Sequence, residues 1–145
     1  MKQKAVEYQL KANRTDFDRV QITNSKDVES YVRQFYFDDI GIYESFFIIL
    51  LDRANKVKGY VKISQGGIAG TVVDPLIVAK YVVDSLAKGV ILCHNHPSGN
   101  LTPSQQDIAM TNKIKSGLAF FDVNVIEHLI LTEDYFYSFA DNGLI

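Results

Sequence analysis

The run Glu44-Ser45-Phe46-Phe47-Ile48-Ile49-Leu50-Leu51 constrains the fold more than any other stretch of this chain. Apolar and polar residues do not alternate in it, so it reads as a strand covered on both faces. Its β-branched and aromatic content favours the pleated form. It is far too short to cross a bilayer. The covering layers must come from the rest of the chain, where strand and helix patterns interleave. That predicts a single α/β domain over residues 1–145, with a mixed central sheet flanked by helices.

In chain order, Val6, Tyr8 and Leu10 alternate with Glu7 and Gln9, which predicts a half-buried strand. Residues 13–23 are polar and read as loop. Asn24 or Ser25 caps a helix in which Val28, Tyr31, Val32 and Phe35 keep helical spacing, and Asp38-Asp39-Ile40-Gly41 ends it. Residues 52–56 form a hairpin turn into an alternating strand, 57–63. Residues 70–73 are a short edge strand or a loop. Asp74 caps a second helix with Pro75 at its first position, and Lys88-Gly89 stops it. Residues 90–94 are a short buried strand. Thr102, Pro103 and Gln105 fit a capping box for a third helix, whose buried row is Met110, Ile114 and Leu118. Residues 123–125, 128–131 and 135–139 are three further short strands.

The chemistry gathers at the end of the 90–94 strand. Residues i and i+2 of an extended segment share a face, so His94 and His96 can offer two imidazoles to one point. Asp107 heads the core-facing row of the third helix and can return a carboxylate to that point if the Gly/Pro-rich link folds back. Two imidazoles and one carboxylate match the ligand count of a catalytic zinc site. A zinc-bound water still needs a proton acceptor near the metal. Glu44, opening the most apolar run of the chain, is the candidate; it could also mark only the wet edge of its strand. Ser104 lies three before Asp107, on the same helix face. It can serve as an oxyanion donor or simply as a favourable residue at a helix start. Cys93 faces the opposite way. His128, in an apolar strand, reads as a hydrogen-bonded partner and not as a ligand.

The spacing His94-x-His96, seven residues, Ser104, two residues, Asp107 resembles the JAMM signature of the JAB/MPN metalloproteases, without gap or substitution. His94-Asn95-His96-Pro97-Ser98-Gly99 with Pro103-Ser104 is similar to the RadC-like branch. So are Ser64-Gln65-Gly66-Gly67, Gly70-Thr71-Val72-Val73-Asp74-Pro75 and Tyr137-Ser138-Phe139. The resemblance covers residues 44–143. It implies a cytidine-deaminase-like α/β fold, one zinc per chain on His94, His96 and Asp107, Glu44 as general acid/base and Ser104 as oxyanion stabiliser. It implies hydrolysis of a protein or peptide substrate by a metallopeptidase or isopeptidase. Two positions depart from the pattern: Leu76 stands where Arg is frequent, and Glu127 where Asp is usual. Longer RadC proteins carry an N-terminal helix-hairpin-helix region, which is not expected in this chain.

The alternative is a non-proteolytic binding module linked to DNA repair or DNA metabolism. A net charge of −2 does not support a phosphate-neutralising surface. Two histidines and a carboxylate also suit non-haem iron oxygenases, which give Glu44 and Ser104 no role. Zinc deaminases need a Cys-x-x-Cys pair, and the chain has one cysteine. That single cysteine permits no intrachain disulfide and fits a reducing compartment. With no apolar signal segment and no run long enough for a membrane span, the expected location is the cytoplasm.

Overall fold

The apolar run becomes β1, Ser45–Leu51, and all seven of its residues are buried. In the computed structural model, which describes residues 2–36, 38–67 and 70–145, β1 is the second strand of a five-stranded sheet. The order is β2 (Val57–Gln65), β1, β3 (Gly89–Asn95), β4 (Asn124–Leu131), β5 (Phe136–Ser138). β1 is antiparallel to both neighbours, β3 and β4 are parallel, and β5 returns antiparallel to β4. The expected mixed sheet is present, and the domain is α/β, consistent with a JAB/MPN fold.

Successive side chains of β1 go to opposite faces, and each face has its own helical cover. On one, α1 (Ser25–Val32) and Phe35 pack against Phe47, Ile49 and Leu51. On the other, α2 (Pro75–Ser85) and α3 (Gln105–Ala119) pack against Phe46, Ile48 and Leu50. Each such fully buried side chain contributes about 1.5–3 kcal/mol. Parallel β3 and β4 need a crossover, and α3 supplies it. Cys93 lies in the α1-side cluster, away from His94. Burial pushes its thiol up to about 12. No helix among the described residues is long and apolar enough to cross a membrane.

Four local expectations are corrected. Val6, Tyr8 and Leu10 form no strand and are 67%, 88% and 67% exposed. Alternation supplies a face, but no strand of the sheet pairs with this segment. α2 ends at Ser85 and is capped by Leu86, which takes the left-handed conformation (φ 54°), and is not stopped by Lys88-Gly89. The chain has already reached the sheet at Lys88, one residue before β3, where the Lys88 N–H donates to the Leu51 carbonyl at 2.9 Å. Residues 123–125 and 128–131 are not two strands, because β4 is continuous through Glu127. That buried carboxylate is tolerated because Ser138 Oγ and the N–H groups of His128 and Ala140 all donate to it. The third helix is capped by Ser104 and not by Thr102, because the Asp107 side chain reaches back to the Ser104 N–H and completes the capping box. The segment 70–73 forms no strand beyond one bridge between Gly67 and Gly70.

Arg33 ties α1 to the β4–β5 turn. Its guanidinium donates to the carbonyls of Thr132, Glu133 and Tyr135 and pairs with Glu29 at 3.0 Å. Burial raises the Glu29 carboxyl, but hydrogen bonds and charge from Lys26 and Arg33 outweigh it and hold it below its ordinary value. The folded value is therefore below the unfolded one. The stabilisation is complete above the unfolded carboxylate range, about 4.3, and is lost as pH falls through the folded value. Arg33→Met is expected to cost about 2–3 kcal/mol at neutral pH, because Glu29 is left with Lys26 as its partner and three turn carbonyls lose their donor. Thermal melts from pH 7 down to pH 3 check this. The gap to wild type narrows towards the acid end; a pH-independent gap contradicts the assignment.

Candidate metal centre

The antiparallel pairing of β1 with β3 brings distant residues together. Phe46 lies opposite His94, and Ser45 N–H donates to Asn95 Oδ1 at 2.8 Å. Two residues further along the same register, Glu44 meets His96, with Oε1 3.9 Å from Nε2. Fully buried Asn95 fixes the approach to this point. Its Nδ2 donates to the carbonyls of Ile40 (2.6 Å) and Tyr43 (2.7 Å), just before Glu44. On the far side, Gly66 N–H donates to the Glu44 carbonyl at 2.8 Å. A Cβ on Gly66 would sit 1.9 Å from the Gly70 carbonyl oxygen, and Gly70 itself has φ of 125°. Only glycine meets these two demands.

The turn after β3 sends α3 back over the same point. Ser104 is its N-cap, in a complete capping box. Asp107 N–H donates to Ser104 Oγ at 3.0 Å, and Ser104 N–H donates to Asp107 Oδ2 at 2.8 Å. The box leaves the Asp107 carboxylate facing both imidazoles. Oδ1 is 3.4 Å from His94 Nε2, and Oδ2 is 3.3 Å from His96 Nε2. The two Nε2 atoms are 2.9 Å apart. His96 Nδ1 lies 2.6 Å from the Asn100 carbonyl. A carbonyl oxygen can only accept, so Nδ1 carries the hydrogen and Nε2 of the neutral ring presents a lone pair.

Imidazole nitrogens and carboxylate oxygens thus converge on one point, a donor set suited to a cation. The crowded acidic groups also shift the titration of the site. Burial lowers the His96 imidazole, yet hydrogen bonds to Asp107 and the Asn100 carbonyl, with the charges of Asp107 and Glu44, hold it above its ordinary value. Burial raises Asp107, but its bonds to His94 and His96 hold it far below the usual carboxylate range. Glu44, His94 and His96 are positioned to bind a metal ion, each offering a ligand atom within 4.8 Å of the others. Asp107 approaches both imidazoles more closely than Glu44 approaches His96. The centre opens into a cleft of about 810 Å³ lined by Glu44, Ser104, Asp107, Phe46, Val73 and Met110. It lies beyond the carboxyl end of β3, at a place where α/β sheets commonly bind ligands.

Behind the centre, His128 is buried on β4 with Nε2 2.7 Å from His94 Nδ1. Its Nδ1 is 2.6 Å from Thr111 Oγ1. Burial, reinforced by the neighbouring His94, pushes its imidazole well below its ordinary value.

Residues 22–144 match the RadC-like JAB domain. The chain belongs to that family. Among curated relatives, this RadC-like JAB domain is 45% identical to a UPF0758 protein of Flavobacterium johnsoniae, over 85% of the chain and 53% of the relative. It is 37% identical to one from Fusobacterium nucleatum (90% and 55%) and 35% identical to one from Shewanella frigidimarina (99% and 63%). The chain spans about half the length of the first two relatives and somewhat more of the third.

All five residues singled out from the RadC-like sequence, Glu44, His94, His96, Ser104 and Asp107, line one cleft. Sequence reading passed over Asn95 and Thr111. The hint for Asn95 was a polar residue on a buried strand between two histidines; for Thr111, it was a hydroxyl one turn after Asp107.

Proposed function

We propose that this domain is a zinc-dependent hydrolase of peptide or isopeptide bonds. His94, His96 and Asp107 are the metal ligands, Glu44 is the general acid/base, and Ser104 is the donor to the carbonyl oxygen. The convergence of His94 Nε2, His96 Nε2 and the Asp107 carboxylate within 3.4 Å carries this reading. Two nitrogens and carboxylate oxygen are a donor set that suits zinc. Asp107 is preferred to Glu44 as third ligand because the capping box fixes it and both imidazoles lie closer to it. Zinc held by three such ligands supplies Lewis acidity that brings the pKa of water to about 7.

The remaining work falls to side chains. Glu44 accepts a proton from the attacking water and returns it to the amine nitrogen as the C–N bond breaks. The water oxygen stays on the acyl carbon, so the products are a carboxylic acid and an amine. Ser104 Oγ accepts from Asp107 N–H, and its own proton remains free to donate to the oxygen that gains charge. The apolar lining from Phe46, Val73 and Met110 and a net charge of −2 favour a peptide over a nucleic-acid substrate. A panel of peptides and lysine-isopeptide conjugates, followed by mass spectrometry, tests the reading. Cleavage with the mass of one water gained is expected, abolished by chelator and restored by zinc. Cleavage indifferent to chelator counts against it.

A further inference from the structure

We infer that His128 is a positioning residue: with Thr111 it locks His94 in the tautomer whose Nε2 lone pair faces the metal centre. This rests on the metal-site reading above. Four groups form one chain of hydrogen bonds. Thr111 Oγ1 is 2.7 Å from the Asp107 carbonyl oxygen and 2.6 Å from His128 Nδ1. His128 Nε2 is 2.7 Å from His94 Nδ1. A carbonyl oxygen has no proton, and a hydroxyl has one. If Thr111 donates to the carbonyl, it must accept from His128 Nδ1–H. His128 Nε2 is then bare and accepts from His94 Nδ1–H, which leaves His94 Nε2 as a lone pair.

Reversing the chain has the opposite result. Thr111 would donate to His128 Nδ1, His128 Nε2–H to His94 Nδ1, and His94 Nε2 would carry a proton aimed at His96 and Asp107. That state cannot ligate a cation. The 2.7 Å contact to the Asp107 carbonyl selects the first direction. The surroundings offer His128 little else. It is stacked on Phe139 at 4.5 Å and meets the edge of Phe46 at 5.7 Å, and both rings are apolar. Asp107 thus serves twice, its carboxylate facing the two imidazoles and its carbonyl anchoring the relay behind one of them. The first turn of α3 sets both ends.

The test combines nitrogen-15 imidazole spectra of the metal-free domain with zinc affinity measured by chelator competition. Wild type is expected to show His94 protonated at Nδ1 at neutral pH. His128→Phe keeps a ring against Phe139 but removes the acceptor; zinc affinity is expected to fall about 10–100-fold. His128→Gln, whose Oε1 can accept from His94, should restore most of it. Thr111→Val removes the relay's anchor at nearly constant shape, should fold even if His128→Phe does not, and should weaken zinc in the same direction. His94 protonated at Nε2 in wild type overturns the inference. So does a folded Thr111→Val or His128→Phe with wild-type zinc affinity. If wild type binds no zinc, the metal-site reading fails instead, and the tautomer spectrum alone decides the relay.

Discussion

Glu44→Gln is expected to lower turnover by about 10²–10⁴-fold, the range that a positioned general acid/base supplies, while zinc content and affinity stay within a few-fold of wild type. The substitution keeps shape and hydrogen-bonding reach and removes only the basic oxygen. Glu44 and Asp107 are both carboxylates beside His96, at 3.9 and 3.3 Å, so either is a candidate for the third ligand. The variant separates them. If Glu44 is a ligand, the amide weakens zinc together with turnover. If it is the proton carrier, turnover falls and zinc stays. Steady-state kinetics on a cleaved peptide, with zinc measured on the same preparation, distinguish the outcomes. Retained turnover removes Glu44 from its role.

Ser104→Ala and Ser104→Gly should each lower kcat by about 10²–10³, the usual cost of losing one donor to a developing oxyanion. They should differ in stability. Ser104 Oγ caps α3; alanine at an N-cap costs about 1 kcal/mol, whereas glycine costs only a few tenths. A hydroxyl that serves only the cap gives near-wild-type turnover in Ser104→Gly. One that also donates to substrate gives equal kinetic losses in both variants, whatever their melting temperatures. Asp107 N–H occupies an acceptor position of the oxygen, so capping does not consume the proton, and the two jobs are compatible.

The same residues show how much of the site was legible before the fold. The unbroken apolar run of β1 required cover on both faces, and that requirement gave the three-layer arrangement. Once β1 lies antiparallel to β3 with Phe46 opposite His94, period-two alternation brings Glu44 to His96. Asp107 was legible because it heads the buried row of α3. The cap was not, because Thr102 and Ser104 both suit an N-cap. What decides is whether a side chain three residues on can reach back, and Asp107 does so for Ser104. Val6, Tyr8 and Leu10 misled because alternation is necessary for a half-buried strand but does not supply the partner ladder. Thr111 and Asn95 act through hydrogen bonds across elements, and no local pattern encodes those.

The most direct test is the metal content of the purified domain by elemental analysis, wild type beside His96→Ala. His96 offers one of the two converging Nε2 atoms, and its loss leaves one imidazole with the carboxylates. About one zinc per chain is expected in wild type, as for a single three-ligand site, and close to none in His96→Ala of the same fold and stability. Equal zinc in the two proteins, or none in a wild type reconstituted with excess zinc, contradicts a metal centre at His94, His96 and Asp107.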